Sequence, residues 1–290
     1  MLGMDFSRLR ALVESTYGLS LGTGRVFFVG DSTNRWHVEE LVNNKVDGTV
    51  RTSLTSALSS CEASRGDVVV VMPGSHTLDG TFTPVAGTRI FGLPGMREAT
   101  TVIALAATQL GALSAANCTV QGLSFNVITG TDGVVVTGSN CTIKDCSFRA
   151  VSGTATTFIK VNGATTPFGA GIRIENCFFS DDAVSAIDLN TDGNDKIEDV
   201  IIEGCHIAGG TNGVKLPAHN CESVYITNNV FAASTNPINV TALKTGTGSV
   251  ISGNSFGVAA TNDCTNAALP ASYFWVNNYT RAGLSAANPA

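Results

Sequence analysis

Residues 141–148, CTIKDCSF, belong to a segment that occurs six times between residues 118 and 256. A typical copy is a short apolar strand that continues into Gly, Asn or Asp, then Cys or Asn, one further residue and Phe. An irregular period of about 25 residues is typical of a solenoid in which every repeat adds one layer. The copies start 23, 31, 28, 24 and 25 residues apart, and they read CTVQGLSF (118–125), CTIKDCSF (141–148), IRIENCFF (172–179), VIIEGCHI (200–207), VYITNNVF (224–231) and SVISGNSF (249–256).

A second series of short strands lies between these copies. It reads GVVV from Gly133, FIKV from Phe158, AIDL from Ala186, GVKL from Gly213 and PINV from Pro237. Alternating apolar and polar residues indicate strands with one buried face, and no repeat contains a helical stretch of about 10 residues. We therefore predict two parallel sheets, each of which gains one rung per turn of the chain. The centres of the second series are counted as Val135, Ile159, Ile187, Val214 and Ile238.

The fold class predicted by this pattern is all-β, a single-stranded parallel β-helix. Because rungs stack about 4.7–4.9 Å apart, equivalent residues form columns along the axis of the solenoid. We expect three columns inside it: one of phenylalanines, one of cysteines that continues as asparagines, and one of Cys, Ile and Val. They consist of Phe125, Phe148, Phe179, Ile207, Phe231 and Phe256; of Cys146, Cys177, Cys205, Asn229 and Asn254; and of Cys118, Cys141, Ile172, Val200 and Val224.

The composition excludes several classes of protein. Charged residues make up only 14% of the 290 residues, against roughly 25% in ordinary soluble domains, so long amphipathic helices are not expected. The net charge of −6 and the scattered Lys and Arg residues argue against a nucleic-acid partner. The longest apolar run, Val68–Met72, is too short to span a bilayer, so no membrane partner is expected.

The N-terminus and the cysteines point to assembly in the cytoplasm. Asp5, Arg8, Arg10 and Glu14 stand where a signal peptide would need its apolar stretch. In a cytoplasmic protein the eight cysteines are expected to be buried thiols rather than disulfides. Since they show no C-x-x-C pairs of the kind that bind zinc, we expect no zinc site among them. No phosphate-binding loop occurs and Gly22-Thr23-Gly24 lacks the third glycine of a dinucleotide site, so no cofactor is expected.

Three regions are predicted along the chain. Residues 1–48 form an adaptor or oligomer-contact segment, with a first helix around Phe6, Leu9, Leu12, Val13 and Tyr17. Residues 49–258 form the β-helix, whose open N-terminal end is covered by a second helix from Val50 to Glu62. Residues 259–290 form a C-terminal cap or trimer-contact segment. Arg65-Gly66-Asp67 resembles an adhesion tripeptide, but its place just before a strand favours a turn.

One part of the sequence resembles a known family. A short helix in VRTSLTSALSSC, a turn, and then GDVVVVMPGSHTL opening a Gly- and Asn-rich solenoid are similar to bacteriophage virion proteins of the right-handed, pectate-lyase-like β-helix class. The specific likeness covers roughly residues 49–78, and the repeats of residues 118–256 match the fold only. The resemblance implies a homotrimer that serves as a tailspike, a fibre part or a capsid decoration.

Cleavage of a polysaccharide would require paired carboxylates, or acidic calcium ligands with a nearby basic residue. Asp181-Asp182 and Asn190-Thr191-Asp192 resemble two motifs of polygalacturonase-type glycosidases, but their order is reversed, and the GHG and Arg-x-Lys elements are missing. The residues Asp188, Asn190, Asp192, Gly193 and Asp199 fit part of a calcium loop, whereas an acidic loop with an Asp-Gly turn explains them equally simply. No catalytic, cofactor-binding or metal residue is therefore assigned.

The sequence leaves two functions to compare. The first is a non-enzymatic virion protein, a trimeric decoration or cement protein that contacts itself and another virion protein, the major capsid protein. The alternative is a tail-associated spike or fibre protein that binds or depolymerises host surface polysaccharide. The missing catalytic set and the small single solenoid favour the first, and both place the protein in the virion after assembly in the host cytoplasm.

Overall fold

The computed structural model is a stack of parallel strands. It describes residues 24–30, 50–92, 109–152, 154–163, 170–180, 183–190, 196–216, 221–232, 234–240, 248–257 and 273–280, together with Glu14 and the strands at 100–104 and 264–265. The helix predicted around Phe6 to Tyr17 lies outside these residues, apart from Glu14. The strands form three parallel sheets, which we name A, B and C.

Sheet A has 11 strands in the order β2-β1-β3-β5-β8-β11-β14-β17-β20-β23-β26. Their bounds are β1 Val26–Val29, β2 Val50–Arg51, β3 Val68–Val71, β5 Arg89–Gly92, β8 Thr119–Gln121, β11 Thr142–Lys144, β14 Arg173–Glu175, β17 Ile197–Glu203, β20 Cys221–Thr227, β23 Ser249–Ser252 and β26 Tyr273–Val276.

Sheets B and C complete each turn of the chain. Sheet B has nine strands, β4 Gly74–Leu78, β6 Thr100–Ala104, β9 Ser124–Ile128, β12 Ser147–Ser152, β15 Phe178–Ser180, β18 His206–Ala208, β21 Val230–Phe231, β24 Ser255–Phe256 and β27 Tyr279–Thr280. Sheet C has seven, β7 Gln109–Leu113, β10 Asp132–Val136, β13 Ala155–Asn162, β16 Ala183–Asn190, β19 Asn212–Leu216, β22 Asn236–Val240 and β25 Cys264–Thr265. The predicted all-β parallel solenoid is confirmed.

The number of sheets corrects the sequence prediction, which had two. Each eight-residue copy contains two strands, one of sheet A and one of sheet B, because the chain turns sharply in its middle. The turning residue has left-handed backbone, with φ of 52° at Asp145 and Asn176 and 57° at Asn228. Gly204 and Gly253 hold the same place with φ of 64° and 67°. Since Gly, Asn and Asp adopt this conformation most easily, they dominate that position.

The predicted phenylalanine column is confirmed in register and position. Phe125 pairs with Phe148, Phe148 with Phe179, and Phe231 with Phe256, while Ile207 substitutes between them. The rings stack, with centroids 4.9 Å apart for Phe125–Phe148 and 5.3 Å apart for Phe148–Phe179. Burying such large aromatic side chains supplies much of the hydrophobic stabilisation of the core.

One register in the second series was predicted wrongly. Sheet C pairs Val134, not Val135, with Ile159, which pairs in turn with Ile187. Val135 lies opposite Lys160 on the outward-facing side. A shift of one residue exchanges the two faces of a strand. Because three valines follow one another here, the sequence does not show which of them faces the core.

The cysteine column is buried as predicted, and its continuation as asparagine carries hydrogen bonds. The side-chain Oδ1 of Asn229 accepts from the backbone N–H of Cys205 at 2.9 Å, and Oδ1 of Asn254 accepts from that of Asn229 at 2.9 Å. Asn278 extends the column by one more rung, because its Oδ1 accepts from the Asn254 N–H at 3.0 Å. Seven of the eight cysteines are shown to be buried free thiols: Cys61, Cys118, Cys141, Cys146, Cys177, Cys205 and Cys221.

The stack of strands extends past both boundaries of the predicted 49–258 solenoid. Strand β1 pairs with β3, and β26 and β27 continue sheets A and B at the other end. The roles predicted for residues 1–48 and 259–290 as adaptor and contact segments stay predictions.

The second predicted helix is shorter than Val50 to Glu62. It comprises α1, Leu54–Ser59, which begins after the N-cap Ser53, whose hydroxyl accepts from the N–H of Ser56. Val50–Arg51 is strand β2 instead. The buried side chains of Leu54, Ala57 and Leu58 join the core and contact the first strands of sheet A. Within the described part of the chain, no helix is long and apolar enough to cross a membrane.

Candidate functional site

The acidic residues singled out in the sequence are not brought together by the described structure. Asp181, Asp182, Asp192 and Gly193 lie outside the described residues. Asp199 is exposed on β17 in sheet A, whereas Asp188 lies on β16 in sheet C. Asn190 donates from Nδ2 to Oδ1 of Asn162 at 3.2 Å. In the part of the chain described here, no group of three or more His, Cys, Asp and Glu side chains could hold a metal ion.

Sheet C carries a different set of charged residues on its outward-facing side. In the strands β13, β16 and β19, the residues Lys160, Asp188 and Lys215 are direct neighbours in one column, between two core-facing columns. Asp132, one rung earlier, lies in the neighbouring outward column, in register with Thr157 and Ser185. We call Asp132, Lys160, Asp188 and Lys215 the sheet C ladder.

The charges of the ladder alternate and form ion pairs across rungs. Nζ of Lys215 donates to Oδ2 of Asp188 at 3.1 Å, and Nζ of Lys160 is 3.9 Å from Oδ2 of Asp132. The two aspartate side chains are only 12% and 17% exposed, for Asp188 and Asp132 respectively. Such pairs, partly removed from water, interact more strongly than exposed surface pairs.

Each carboxylate of the ladder keeps one oxygen without a partner. Among the described residues, Oδ1 of Asp132 and Oδ1 of Asp188 are buried and accept no hydrogen bond. A buried polar atom with no partner is unfavourable and uncommon in native proteins, and it is often found where a ligand or substrate binds. Within the described residues, each of these carboxylates is therefore ion-paired through Oδ2 only, to one lysine.

The two carboxyl groups of the ladder have different electrostatic surroundings. Burial raises the pKa of Asp132 above its ordinary value, and the negative charge of Asp188 raises it further. The Lys160 ammonium and a hydrogen bond from Thr157 oppose this without reversing it. Asp188 is held directly by the Lys215 ammonium. Two carboxyl groups in unlike surroundings, one of them with a raised pKa, are a common arrangement in acid–base catalysis.

A network of amide and hydroxyl groups adjoins the ladder. Oδ1 of Asn212 accepts from Nδ2 of Asn239 at 2.7 Å and of Asn236 at 3.1 Å. Nδ2 of Asn212 donates to the Val184 carbonyl at 2.9 Å and to Oγ of Ser185 at 3.3 Å. These bonds fix the polar surface next to Lys215, so the site is built on rigid strands.

Sequence reasoning missed the ladder, although a signal for it was present. Its residues are 28, 28 and 27 positions apart, and each strand contributes only one charge. The signal is the third place of FIKV, AIDL, GVKL and PINV, which holds Lys, Asp, Lys and Asn in otherwise apolar strands. A polar residue that recurs at the same place in successive strands of a solenoid indicates a column of neighbouring side chains on the outer face of the sheet.

The comparisons with known proteins agree with this architecture. The chain matches the model of the right handed beta helix region over residues 104–272, which is more than half of its length. It therefore belongs to the right-handed β-helix family, as the strand topology indicates. No curated protein sequence matches the chain.

Several solved structures share the fold. A pectin methylesterase in complex with a hexasaccharide has a TM-score of 0.51 and 12% identity, with 92% of each chain covered. The pectin methylesterase of Aspergillus niger has a TM-score of 0.50 and 13% identity, covering 92% of this chain and 88% of that one. ORF18 of Geobacillus virus E2 has a TM-score of 0.48 and 12% identity, covering 78% and 56%.

These neighbours contradict the expectation that the chain is not an enzyme. The two pectin methylesterases superpose over nearly the whole chain, so a single β-helix of this size is a scaffold on which polysaccharide-active enzymes are built. The small size and the incomplete glycosidase motifs were the grounds for that expectation, and neither excludes catalysis. Because such low identity shows the fold alone, the activity has to be argued from the site.

Proposed function

We propose that this protein is a virion-associated β-helix protein, part of a tail spike or fibre, that binds and cleaves host surface polysaccharide at the sheet C ladder. The observation that carries the proposal is the pair of carboxylates Asp132 and Asp188, each of which lies beside a lysine and has a buried Oδ1 without a partner among the described residues. The fold that the chain shares with pectin methylesterases supports a carbohydrate substrate.

The two carboxyl groups have different roles in the proposed hydrolysis. Asp132, whose pKa is raised by burial, donates a proton to the glycosidic oxygen as the bond from that oxygen to the anomeric carbon breaks. Asp188, which accepts a hydrogen bond from Lys215, accepts a proton from the water whose oxygen forms the new bond to that carbon. Lys160, next to Asp132, donates hydrogen bonds to sugar hydroxyl groups.

The test of the catalytic role uses the full chain and two conservative variants. The protein is incubated with a panel of purified capsular and O-antigen polysaccharides and with polygalacturonate, and new reducing ends and the size of the polymer are followed. We expect at least one polymer to be shortened, and Asp132→Asn and Asp188→Asn each to lower the rate roughly 10²–10⁴-fold, the usual contribution of a general acid or base.

The matched control is Glu175→Gln on the outer face of sheet A, which also removes one paired surface carboxylate. It should leave the rate unchanged. As pH rises, wild-type activity should fall through the raised pKa of Asp132, because the proton donor is lost. Full activity in the Asp132→Asn and Asp188→Asn variants, or no shortening of any polymer, would contradict the proposal.

The proposed partners are further copies of the chain, in a homotrimer, and another virion protein. The support for a virion origin is the likeness of residues 49–78 to phage β-helix proteins. Immunogold imaging of phage particles that carry the protein tests its place. We expect label at the tail, where a depolymerase meets the cell surface, and label spread over the capsid lattice would instead favour a decoration protein bound to the major capsid protein.

A further inference from the structure

The net negative charge of the chain lies in the part that carries the sheet C ladder. Residues 109–240, from the first residue of β7 to the last residue of β22, contain 12 Asp and Glu residues but only 6 Lys and Arg residues. This excess equals the net charge of −6 of the whole chain, since acidic and basic residues balance in the rest of it. A polymer that approaches these rungs therefore meets a negative field, which disfavours anionic groups.

The basic side chains of sheet C are already engaged by carboxylates. Among the described residues of its strands, Lys160 and Lys215 are the only Lys or Arg. Nζ of Lys160 is 3.9 Å from Oδ2 of Asp132, and Nζ of Lys215 is 3.1 Å from Oδ2 of Asp188. The other basic residues of this part lie on or next to strands of sheets A and B: Lys144, Arg149, Arg173 and Lys196. No described basic group of the sheet C strands is thus left to pair with an anionic substrate.

An acidic sugar would meet like charge at the ladder. Burial and then the negative charge of Asp188 raise the pKa of Asp132, so the two carboxyl groups are close enough to influence each other. A uronate carboxylate would add a third negative charge to them, and it can only accept hydrogen bonds. Sugar hydroxyl groups donate as well as accept hydrogen bonds, so they can approach both the carboxylates and the Lys160 ammonium.

We infer that the polysaccharide cleaved at the sheet C ladder is uncharged. It is built of neutral hexoses, deoxyhexoses or N-acetylated amino sugars, without uronate, sulfate or phosphate groups on the sugars that reach the ladder. This inference rests on the proposed cleavage and adds the charge class of its substrate. Of the polymers in the cleavage test, polygalacturonate should therefore stay intact.

The first experiment compares each acidic polymer with its own uncharged form. Uronate-containing capsular polysaccharides are used before and after chemical reduction of their carboxyl groups to hydroxymethyl groups, together with neutral O-antigen polysaccharides. The full wild-type chain should shorten only uncharged polymers. For any backbone that is cleaved, the carboxyl-reduced form should react at least about tenfold faster than the native form, because one unit charge a few ångströms away changes binding by about that factor.

The second experiment frees one ammonium group at the ladder. Asp188→Asn removes the carboxylate that pairs with Lys215. Its affinity for polygalacturonate, measured by affinity electrophoresis, should rise about tenfold over that of the wild type at low ionic strength. The gain should disappear at roughly 0.5 M salt, which screens such an interaction. The readout is binding, so the catalytic loss expected of this variant does not affect it.

The matched control is Glu175→Gln on sheet A, which changes the net charge of the chain by the same amount. It should leave the affinity for polygalacturonate unchanged, and circular dichroism should show that both variants are folded. Equal gains for the two variants, or no gain for Asp188→Asn, would overturn the inference.

The outcomes separate this inference from the proposed function. If the wild-type chain shortens native uronate polymers as fast as their carboxyl-reduced forms, the cleavage proposal stands and the inference about charge is wrong. If the chain neither binds nor shortens any polymer of either kind, the proposed function is wrong, and the inference fails with it.

Discussion

Replacing Phe179 by alanine should lower the free energy of unfolding by about 3–5 kcal/mol, the usual cost of removing a buried aromatic ring and leaving a cavity. The Phe179 ring is 1% exposed, stacks on Phe148 with centroids 5.3 Å apart, and lies 6.2 Å from the ring of Phe158. The strands that carry these neighbouring rings are held by backbone hydrogen bonds to the adjacent rungs. They cannot move closer without breaking those bonds, so the cavity should remain open. Urea denaturation followed by circular dichroism measures the loss.

The neighbouring residue supplies a matched control. Phe178 is the same residue type on the same strand, but it faces outward and meets His206 edge-on at 5.2 Å. Phe178→Ala should cost no more than about 1 kcal/mol, as for most surface substitutions. Since adjacent strand residues point to opposite faces, equal losses for both variants, or a larger loss for Phe178→Ala, would show that the register is wrong.

The internal columns could be predicted from sequence because they repeat one residue type at one period. Phe125, Phe148, Phe179, Phe231 and Phe256 recur at the same place in a recognisable segment, and the strands pair them directly. The register of the GVVV strand could not be predicted, since three consecutive valines place the same side chain on both faces of the strand. The strand β1, VFFV, was missed because it precedes the first repeat, although it pairs residue by residue with VVVV of β3.

The third sheet and the candidate site required three-dimensional information. The sharp turn within each copy depends on a left-handed residue such as Asp145, which in sequence looks only like a polar residue near the end of a strand. The ladder joins single charges from four rungs, and its chemistry arises from burial and from pairs such as Asp188–Lys215. Motif searches compare residues close in sequence, so they pointed to Asp181, Asp182 and Asp192 instead.

Replacing Asp67 by alanine should lower the free energy of unfolding at neutral pH by about 2–4 kcal/mol, because it leaves several donors without an acceptor. The side chain is fully buried and accepts from Nε and Nη2 of Arg65, both at 2.6 Å. It also accepts from the backbone N–H groups of Arg25 and Glu62, both at 2.8 Å. The aspartate of Arg65-Gly66-Asp67 therefore connects separate backbone segments at the start of the solenoid by hydrogen bonds. This role agrees with the turn that was predicted for the tripeptide. Urea denaturation at pH 7 measures the loss.

The pH dependence distinguishes this role of the carboxylate from simple packing. Burial alone would raise the pKa of Asp67, but the Arg65 guanidinium and the two backbone N–H groups hold it below its ordinary value. A depressed pKa gives stabilisation that is complete above the unfolded-state pKa of about 3.9 and is lost as pH falls through the folded-state pKa. The difference in unfolding free energy between wild type and Asp67→Ala should therefore shrink below about pH 4.

The control is Asp145→Asn, which alters a carboxylate with one side-chain partner, Gln121. It should change the free energy of unfolding by no more than about 0.5 kcal/mol. A difference for Asp67→Ala that stays constant from pH 7 to pH 3 would mean that lost packing, rather than the buried charge, explains the destabilisation.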